Sequence, residues 1–215
     1  MIQSPKISVM FKTVILYSAV LGILLQGGIL NGYFSFASLC WFTVFSNLLV
    51  AVYYLITLLF SGEKSGSVWC PTLKFMALMT ILLTGFVSHF LLHETGSSSS
   101  GVVRLAQILL HSVTPAGVLL DWLLFDARGL TRNTDPLFGV LPAALYVAVA
   151  LIGAEFGYGL GSGSSRYPYS FLDVDRLGWP TVLLTVLGLA AAVILVGYLL
   201  YWMDHALSKT GRSRR

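Results

Sequence analysis

Residues 104–126 read RLAQILLHSVTPAGVLLDWLLFD, an apolar stretch that is long enough to cross a bilayer as a helix. At helical spacing its polar side chains share one stripe, formed by Arg104, Gln107, His111, Thr114 and Asp121. Leucines and valines fill the rest of the circumference. Because an ionisable group is costly at membrane depth, this stripe must face protein or water, and His111 is therefore a candidate site residue.

A proline four residues after His111 predicts an irregularity in this helix. Pro115 has no N–H group to bond the carbonyl of His111, so we expect the helix to kink at this point. The kink leaves an unbonded acceptor beside the imidazole.

The composition indicates an integral membrane protein. Of the 215 residues, 56% are hydrophobic and 10% are charged, whereas about 25% are charged in an average soluble domain. Six apolar stretches have the length of a membrane span, namely residues 11–30, 37–60, 71–92, 102–125, 137–156 and 179–200. We therefore predict an all-α protein with a single domain, residues 1–215, made of six transmembrane helices.

The basic residues predict how these helices are oriented. Ten of the 13 Lys and Arg, including Lys12 and Lys74, lie in the two tails and in the second and fourth loops. The other three, Arg104, Arg166 and Arg176, lie on the opposite side. Because basic residues near helix ends stay in the cytoplasm, both termini are predicted to be cytoplasmic, in the plasma or inner membrane. No nucleic-acid-binding pattern accompanies the net charge of +4, so we expect no nucleic-acid partner.

The second predicted helix carries another polar stripe. Its members are Thr43, Ser46, Asn47, Tyr54 and Thr57. Thr43 is about six residues from the outer end of its helix and His111 about nine, so both lie roughly 9 to 13 Å below the outer surface. The matching depth makes these two side chains a candidate pair.

Two histidines four residues apart, His89 and His93, leave a zinc-dependent hydrolase open as an alternative, with His111 as the third ligand. However, His93 lies at the membrane edge, and His111 lies about one turn deeper than His89. This is a poor match to a single tetrahedral site, so we expect no catalytic metal and no cofactor.

Three segments carry a resemblance to a known family: WFTVFSNLLVAVYYL at 41–55, LLHSVTPAGVLLDWLLFD at 109–126 and YPYSFLDVD at 167–175. They resemble the androgen-induced and androgen-dependent membrane protein family, and most closely its prokaryotic branch. The animal members are multi-pass hydrolases that cleave fatty acid esters of hydroxy fatty acids with a threonine nucleophile and a histidine. The resemblance implies that Thr43, before the Asn-Leu-Leu run, is the nucleophile and that His111 is the base.

An ester hydrolase also needs donors for the oxyanion of its tetrahedral intermediate. Asn47 and Ser46 lie about one turn from Thr43, so we predict that they supply these hydrogen bonds.

The predicted substrate is a fatty acyl ester that enters from the outer leaflet. Arg104, two turns before His111, is expected to bind its anionic end. The other predicted substrate contacts are Gln107, Thr84 and His89. The glycine-rich and aromatic loop at residues 157–180 is expected to cover the mouth of a lipid-facing cavity. A small transporter or a lipid-binding membrane protein without turnover is the alternative function.

Overall fold

The structure is a computed structural model, and it describes residues 4–32, 34–35, 38, 40–60, 68–91, 101–161 and 165–212. Every regular element in these ranges is helical. Six helices are long and apolar enough to cross a membrane, and we call them the first to sixth spans: Pro5–Gln26, Phe42–Phe60, Pro71–Phe90, Gly101–Leu124, Asp135–Glu155 and Trp179–Lys209. The prediction of an all-helical chain with six candidate spans is confirmed.

Two of the spans change helix type near His89 and His111. The third span is an α-helix, Pro71–Phe86, followed by a π-helical turn, Val87–Leu91. The fourth span has two α-helical parts, Gly101–Ile108 and Thr114–Leu124, on either side of a π-helical turn, Leu109–Val113. The irregularity predicted from Pro115 takes the form of a π turn that ends two residues before that proline.

The remaining spans are α-helical. The first and second are continuous, whereas the fifth consists of Asp135–Phe138 and Leu141–Glu155. The helix of the sixth span runs over Trp179–Arg212. Short helical elements at Ile29–Asn31, Ser170–Leu172 and Val174–Leu177 lie in the connections.

The first helix begins six residues before its predicted range and ends four residues before the end of that range, whereas the sixth helix extends beyond its predicted end. The first helix begins at Pro5 because the Ser4 side chain accepts a hydrogen bond from Ile7 N–H, and proline is favourable at the first helical position. The sixth helix continues past residue 200 because residues 201–210 contain neither glycine nor proline.

The first four spans pack around one apolar core. Its buried members are Ile15, Ala19, Val50, Ala51, Tyr53, Tyr54, Ala77, Leu78, Ile81, Val118 and Trp122. A second core joins the second, fifth and sixth spans to the loop between the last two, and contains Phe42, Tyr146, Tyr169 and Leu172. This second core lies at the end of the bundle where Thr43 and His111 are found, which we call the site end.

A buried charge cluster lies at the opposite end of the bundle. Asp121 accepts hydrogen bonds from Lys12 Nζ at 2.7 Å, from Lys74 Nζ at 2.5 Å and from the Tyr54 hydroxyl at 2.9 Å. Lys74 also bonds Asp126 at 2.6 Å. Lys12 and Lys74, which the sequence predicts only as indicators of topology, are both buried. The cluster connects the first, second, third and fourth spans.

Candidate active site

The structure brings together the two side chains of the predicted catalytic pair. The Oγ1 atom of Thr43 lies 3.1 Å from Nε2 of His111, although the two residues are 68 positions apart in the sequence. A neutral imidazole that carries its proton on the other ring nitrogen accepts the threonine hydroxyl at this distance. The pair therefore has the geometry of a nucleophile with its general base.

The π turn around His111 is fixed by a hydrogen bond from the second span. At the five-residue spacing of a π-helix, the partner of the Leu110 carbonyl is Pro115, which has no N–H to donate. The amide Nδ2 of Asn47 donates to this carbonyl instead, at 3.3 Å. Asn47 thus ties the irregular turn to the helix that carries Thr43.

Asn47 and Ser46 also hold the backbone of the nucleophile. Asn47 Nδ2 donates to the Thr43 carbonyl at 2.8 Å, and the Ser46 hydroxyl donates to the same carbonyl at 2.9 Å. Both amide hydrogens of Asn47 are therefore used by main-chain carbonyls, and Ser46 accepts a further bond from Thr84 at 2.7 Å. In this arrangement the two residues position Thr43, and their donation to an oxyanion stays a prediction.

A glycine allows the third span to approach His111 closely. A Cβ atom added to Gly85 would lie 3.3 Å from the His111 carbonyl oxygen and 3.3 Å from the Cβ of Pro115. These contacts are tight, so a side chain at position 85 would require the fourth span to move by a few tenths of an ångström. The position of His111 therefore depends on three spans.

A cavity of about 90 Å³ lies beside Thr43. Its walls come from the second, third, fifth and sixth spans and from the loop before the sixth span. Most of the lining is apolar, and the polar side chains are Thr43, Thr84, Ser88, Tyr146 and Tyr169. His111 is not part of this lining, so Thr43 lies between the cavity and its base. Thr84, a predicted substrate contact, does line the cavity.

The loop that was expected to form a lid contributes to the cavity wall through Tyr169, Phe171 and Leu172. Arg166 anchors this loop, because its guanidinium donates to both carboxylate oxygens of Asp175, at 2.8 and 2.7 Å, and to the Ala154 carbonyl. This pairing lowers the pKa of the Asp175 carboxyl. The described part of the loop is therefore built into the site end of the bundle.

Tyr169 is a residue of this loop that sequence reasoning did not select as a site residue. Its hydroxyl accepts a hydrogen bond from Phe42 N–H at 3.1 Å, next to Thr43 in the chain. Its segment, YPYSF, was one of those that carry the family resemblance, and this was the available signal.

The other predicted substrate contacts lie away from the cavity lining. Arg104 and His89 are exposed, and Gln107 is half-buried. His89 Nδ1 is 2.8 Å from the Gly85 carbonyl, and its Nε2 is 3.3 Å from the hydroxyl of Ser112. Since a carbonyl only accepts, Nδ1 donates and Nε2 faces Ser112 as an acceptor. The substrate contacts of Arg104, Gln107 and His89 stay predictions.

The zinc alternative depends on His93, which lies outside the described residues. Within the part of the chain that the structure describes, no group of three His, Cys, Asp or Glu side chains could hold a metal ion. The described arrangement instead places His111 Nε2 against the Thr43 hydroxyl.

No protein-family model, curated protein or solved structure matches this chain. The function must therefore be argued from the geometry of the site. The resemblance to the androgen-induced and androgen-dependent family accordingly rests on the segments quoted from the sequence.

Proposed function

We propose that this chain is an intramembrane esterase that hydrolyses fatty acyl esters through a covalent acyl-threonine at Thr43. The observation that carries the proposal is the 3.1 Å contact between Thr43 Oγ1 and His111 Nε2, at the wall of a largely apolar cavity. The family resemblance supports it, because the animal members use a threonine and a histidine for this reaction. Thr43 and His111 match that pattern in type and sequence context.

The first half of the reaction acylates Thr43. His111 Nε2 takes the hydroxyl proton while Thr43 Oγ1 forms a bond to the ester carbonyl carbon, and the carbonyl electron pair moves onto oxygen. When the tetrahedral intermediate collapses, the ester C–O bond breaks. The leaving alcohol receives the proton from His111.

The second half returns the enzyme to its starting state. A water molecule gives a proton to His111 Nε2 and adds to the carbonyl carbon of the acyl-threonine. Collapse of this second intermediate releases the fatty acid, and Thr43 Oγ1 regains its proton from His111.

The cavity supports an acyl chain as the substrate group next to Thr43. Its walls are formed mainly by Leu, Val, Ala and Phe side chains, which suit a hydrocarbon chain. The substrate class that the resemblance implies is a fatty acid ester of a hydroxy fatty acid. Six apolar helices suggest a multi-pass membrane protein, in which such an ester reaches the site from the surrounding lipid.

We further propose that both termini face the cytoplasm of a plasma or inner membrane, with the site end toward the outer leaflet. The distribution of the basic residues supports this orientation, since ten of 13 lie in the two tails and in the second and fourth loops of the sequence. Lys12 and Lys74 belong to the buried cluster, so the exposed residues of these segments, such as Arg132, carry the signal.

The buried charge cluster favours a second function, a transporter without turnover. Ionisable residues inside membrane spans often mark the pathway of an ion or a substrate, and Lys12, Lys74 and Asp121 lie within spans. Each of these side chains is already paired with an opposite charge. A transporter predicts substrate binding without a covalent intermediate.

Covalent labelling separates these functions. Purified protein incubated with a long-chain fluorophosphonate should gain the mass of one adduct, located on Thr43 by peptide mapping. Thr43→Ala and His111→Ala should each lower ester hydrolysis by at least about 10³-fold and block labelling, whereas Thr43→Ser should retain part of both. The double variant should lose little more than either single variant.

The matched control is Ser112→Ala, because Ser112 faces His89 in a second serine and histidine pair. It should keep the rate and the label of the wild type. Hydrolysis by Thr43→Ala at the wild-type rate would disprove the acyl-threonine, and an adduct on Ser112 would assign the nucleophile to the other pair.

A further inference from the structure

The proposed reaction needs a hydrogen-bond donor for its oxyanion, and most polar groups near Thr43 are already committed. Asn47 donates both amide hydrogens to main-chain carbonyls, and Ser46 donates to the Thr43 carbonyl. The hydroxyl of Tyr146 donates to a main-chain carbonyl at 2.7 Å, and Thr84 donates to Ser46. None of these groups points a free hydrogen at the cavity in this arrangement.

Tyr169 differs from them in the direction of its hydrogen bond. Its hydroxyl oxygen accepts from Phe42 N–H at 3.1 Å, and a backbone N–H can only donate. The phenolic hydrogen of Tyr169 is not used by this bond, and its other hydrogen-bonding neighbours are the side chains of Thr43 and Tyr146. Because Phe42 directly precedes Thr43 and all three residues line the cavity, the hydroxyl lies beside Thr43 at the cavity wall.

The surroundings of Tyr169 preserve this donor. The residue is only 8% exposed, and its ring packs against Phe171 at 5.3 Å and Trp41 at 5.7 Å between centroids. Burial raises the pKa of Tyr169, although its hydrogen-bonding contacts with Thr43, Phe42 and Tyr146 act in the opposite direction. The phenol therefore keeps its proton at neutral pH. In a largely apolar cavity, such a preoriented donor stabilises a developing charge strongly.

We propose that the Tyr169 hydroxyl donates the hydrogen bond that stabilises the oxyanion formed at Thr43, which makes Tyr169 a third catalytic residue. This inference rests on the proposed ester hydrolysis. When Thr43 Oγ1 bonds the carbonyl carbon, the carbonyl oxygen gains the electron pair and accepts this hydrogen bond. The phenol keeps its proton throughout, and the proton of Thr43 goes to His111. The loop before the sixth span is then part of the catalytic site.

The test compares two tyrosines of the same loop. Tyr169→Phe removes the donor but keeps the ring, and should lower kcat by about 10² to 10³-fold with KM changed by less than about threefold. Labelling of Thr43 by the fluorophosphonate should slow to a similar extent. Tyr167→Phe is the matched control, because the Tyr167 hydroxyl is buried without a hydrogen-bond partner among the described residues. It should retain the wild-type kcat.

A purely structural role would give a different result. Tyr169→Phe also leaves Phe42 N–H without its acceptor, so thermal unfolding and gel filtration must accompany the kinetics. An unchanged kcat, with either a lower melting temperature or a higher KM, would overturn the catalytic role. A fluorinated tyrosine at position 169 keeps the contacts and is more acidic, so the alkaline loss of activity should move to lower pH. An unmoved alkaline limb would also overturn it.

The outcomes separate this inference from the function on which it rests. If the wild type hydrolyses esters and is labelled at Thr43, but Tyr169→Phe matches it, only the assignment of Tyr169 fails. A large loss in Ser88→Ala with full activity in Tyr169→Phe would place the donor on the third span, since Ser88 also lines the cavity. A wild type without turnover or label would refute both.

Discussion

Replacement of Asp121 by asparagine should strongly destabilise the bundle. The carboxylate is 0% exposed, and its two oxygens accept three hydrogen bonds, from Lys12 on one oxygen and from Lys74 and Tyr54 on the other. An amide keeps only one acceptor oxygen and brings N–H donors against an ammonium group. Two lysines would then share the single carboxylate of Asp126. Loss of one partner from a buried pair costs about 3 to 5 kcal/mol, which is the expected decrease in the free energy of unfolding.

Reversible unfolding in mixed micelles, followed by tryptophan fluorescence, measures this free energy. Asp175→Asn is the matched control, because it breaks an ion pair with Arg166 whose side chains are 59% and 38% exposed, and it should change stability little. Adding Lys12→Met to Asp121→Asn removes the excess charge and should recover at least about 1 kcal/mol. A decrease of less than about 1 kcal/mol for Asp121→Asn, or equal effects of the two asparagine variants, would refute the reasoning.

Three further predictions concern helix packing, pH and topology. Gly85→Ala should reduce ester hydrolysis at least about tenfold by displacing the fourth span, which carries His111. Gly188→Ala is the control, because its added Cβ meets nothing within 4 Å, and it should keep the wild-type rate. Equal rates for the two variants would contradict the packing argument. Burial raises the pKa of Asp126 to about 6, against the attraction of the neighbouring lysine. Because this exceeds the unfolded value of about 3.9, the folded state binds the proton more tightly, so stability should fall as pH rises from about 4 to 6. Asp126→Asn should lose this slope in unfolding measured across that pH range. In a chain without native cysteines, Tyr158→Cys should react with an impermeant maleimide in intact cells and Lys209→Cys only after permeabilisation, and the reverse pattern would invert the proposed orientation.

The spans and the two polar stripes were accessible from the sequence because they depend on periodicity along single helices. Hydrophobic length defined the six spans, and helical spacing placed Thr43 and His111 on inward faces at matching depth. Pro115 indicated an irregular turn because the reason is local, a missing N–H group. The pairing of Thr43 with His111 also needed the resemblance, since periodicity does not distinguish one membrane threonine from another.

The remaining features depend on how helices face one another. Lys12 and Asp121 are 109 positions apart, and only the packing of the first span against the fourth brings them to 2.7 Å. The role of Asn47 was also out of reach, because the carbonyl that it bonds is freed by the π turn. Tyr169 lies in a loop without periodicity, so no spacing rule relates it to Thr43.

Two sets of contacts on the fourth span, one on each side of Pro115, restrict its length. Near the middle of this span His111 contacts Thr43, and near its C-terminal end Asp121 bonds two lysines and Tyr54. Each residue of an α-helix turns the chain by about 100°, so a deletion between these points would rotate one set of partners out of phase with the other. The π turn at Leu109–Val113 contains one residue more than a regular α-helical turn. The segment between His111 and Asp121 must therefore keep its length.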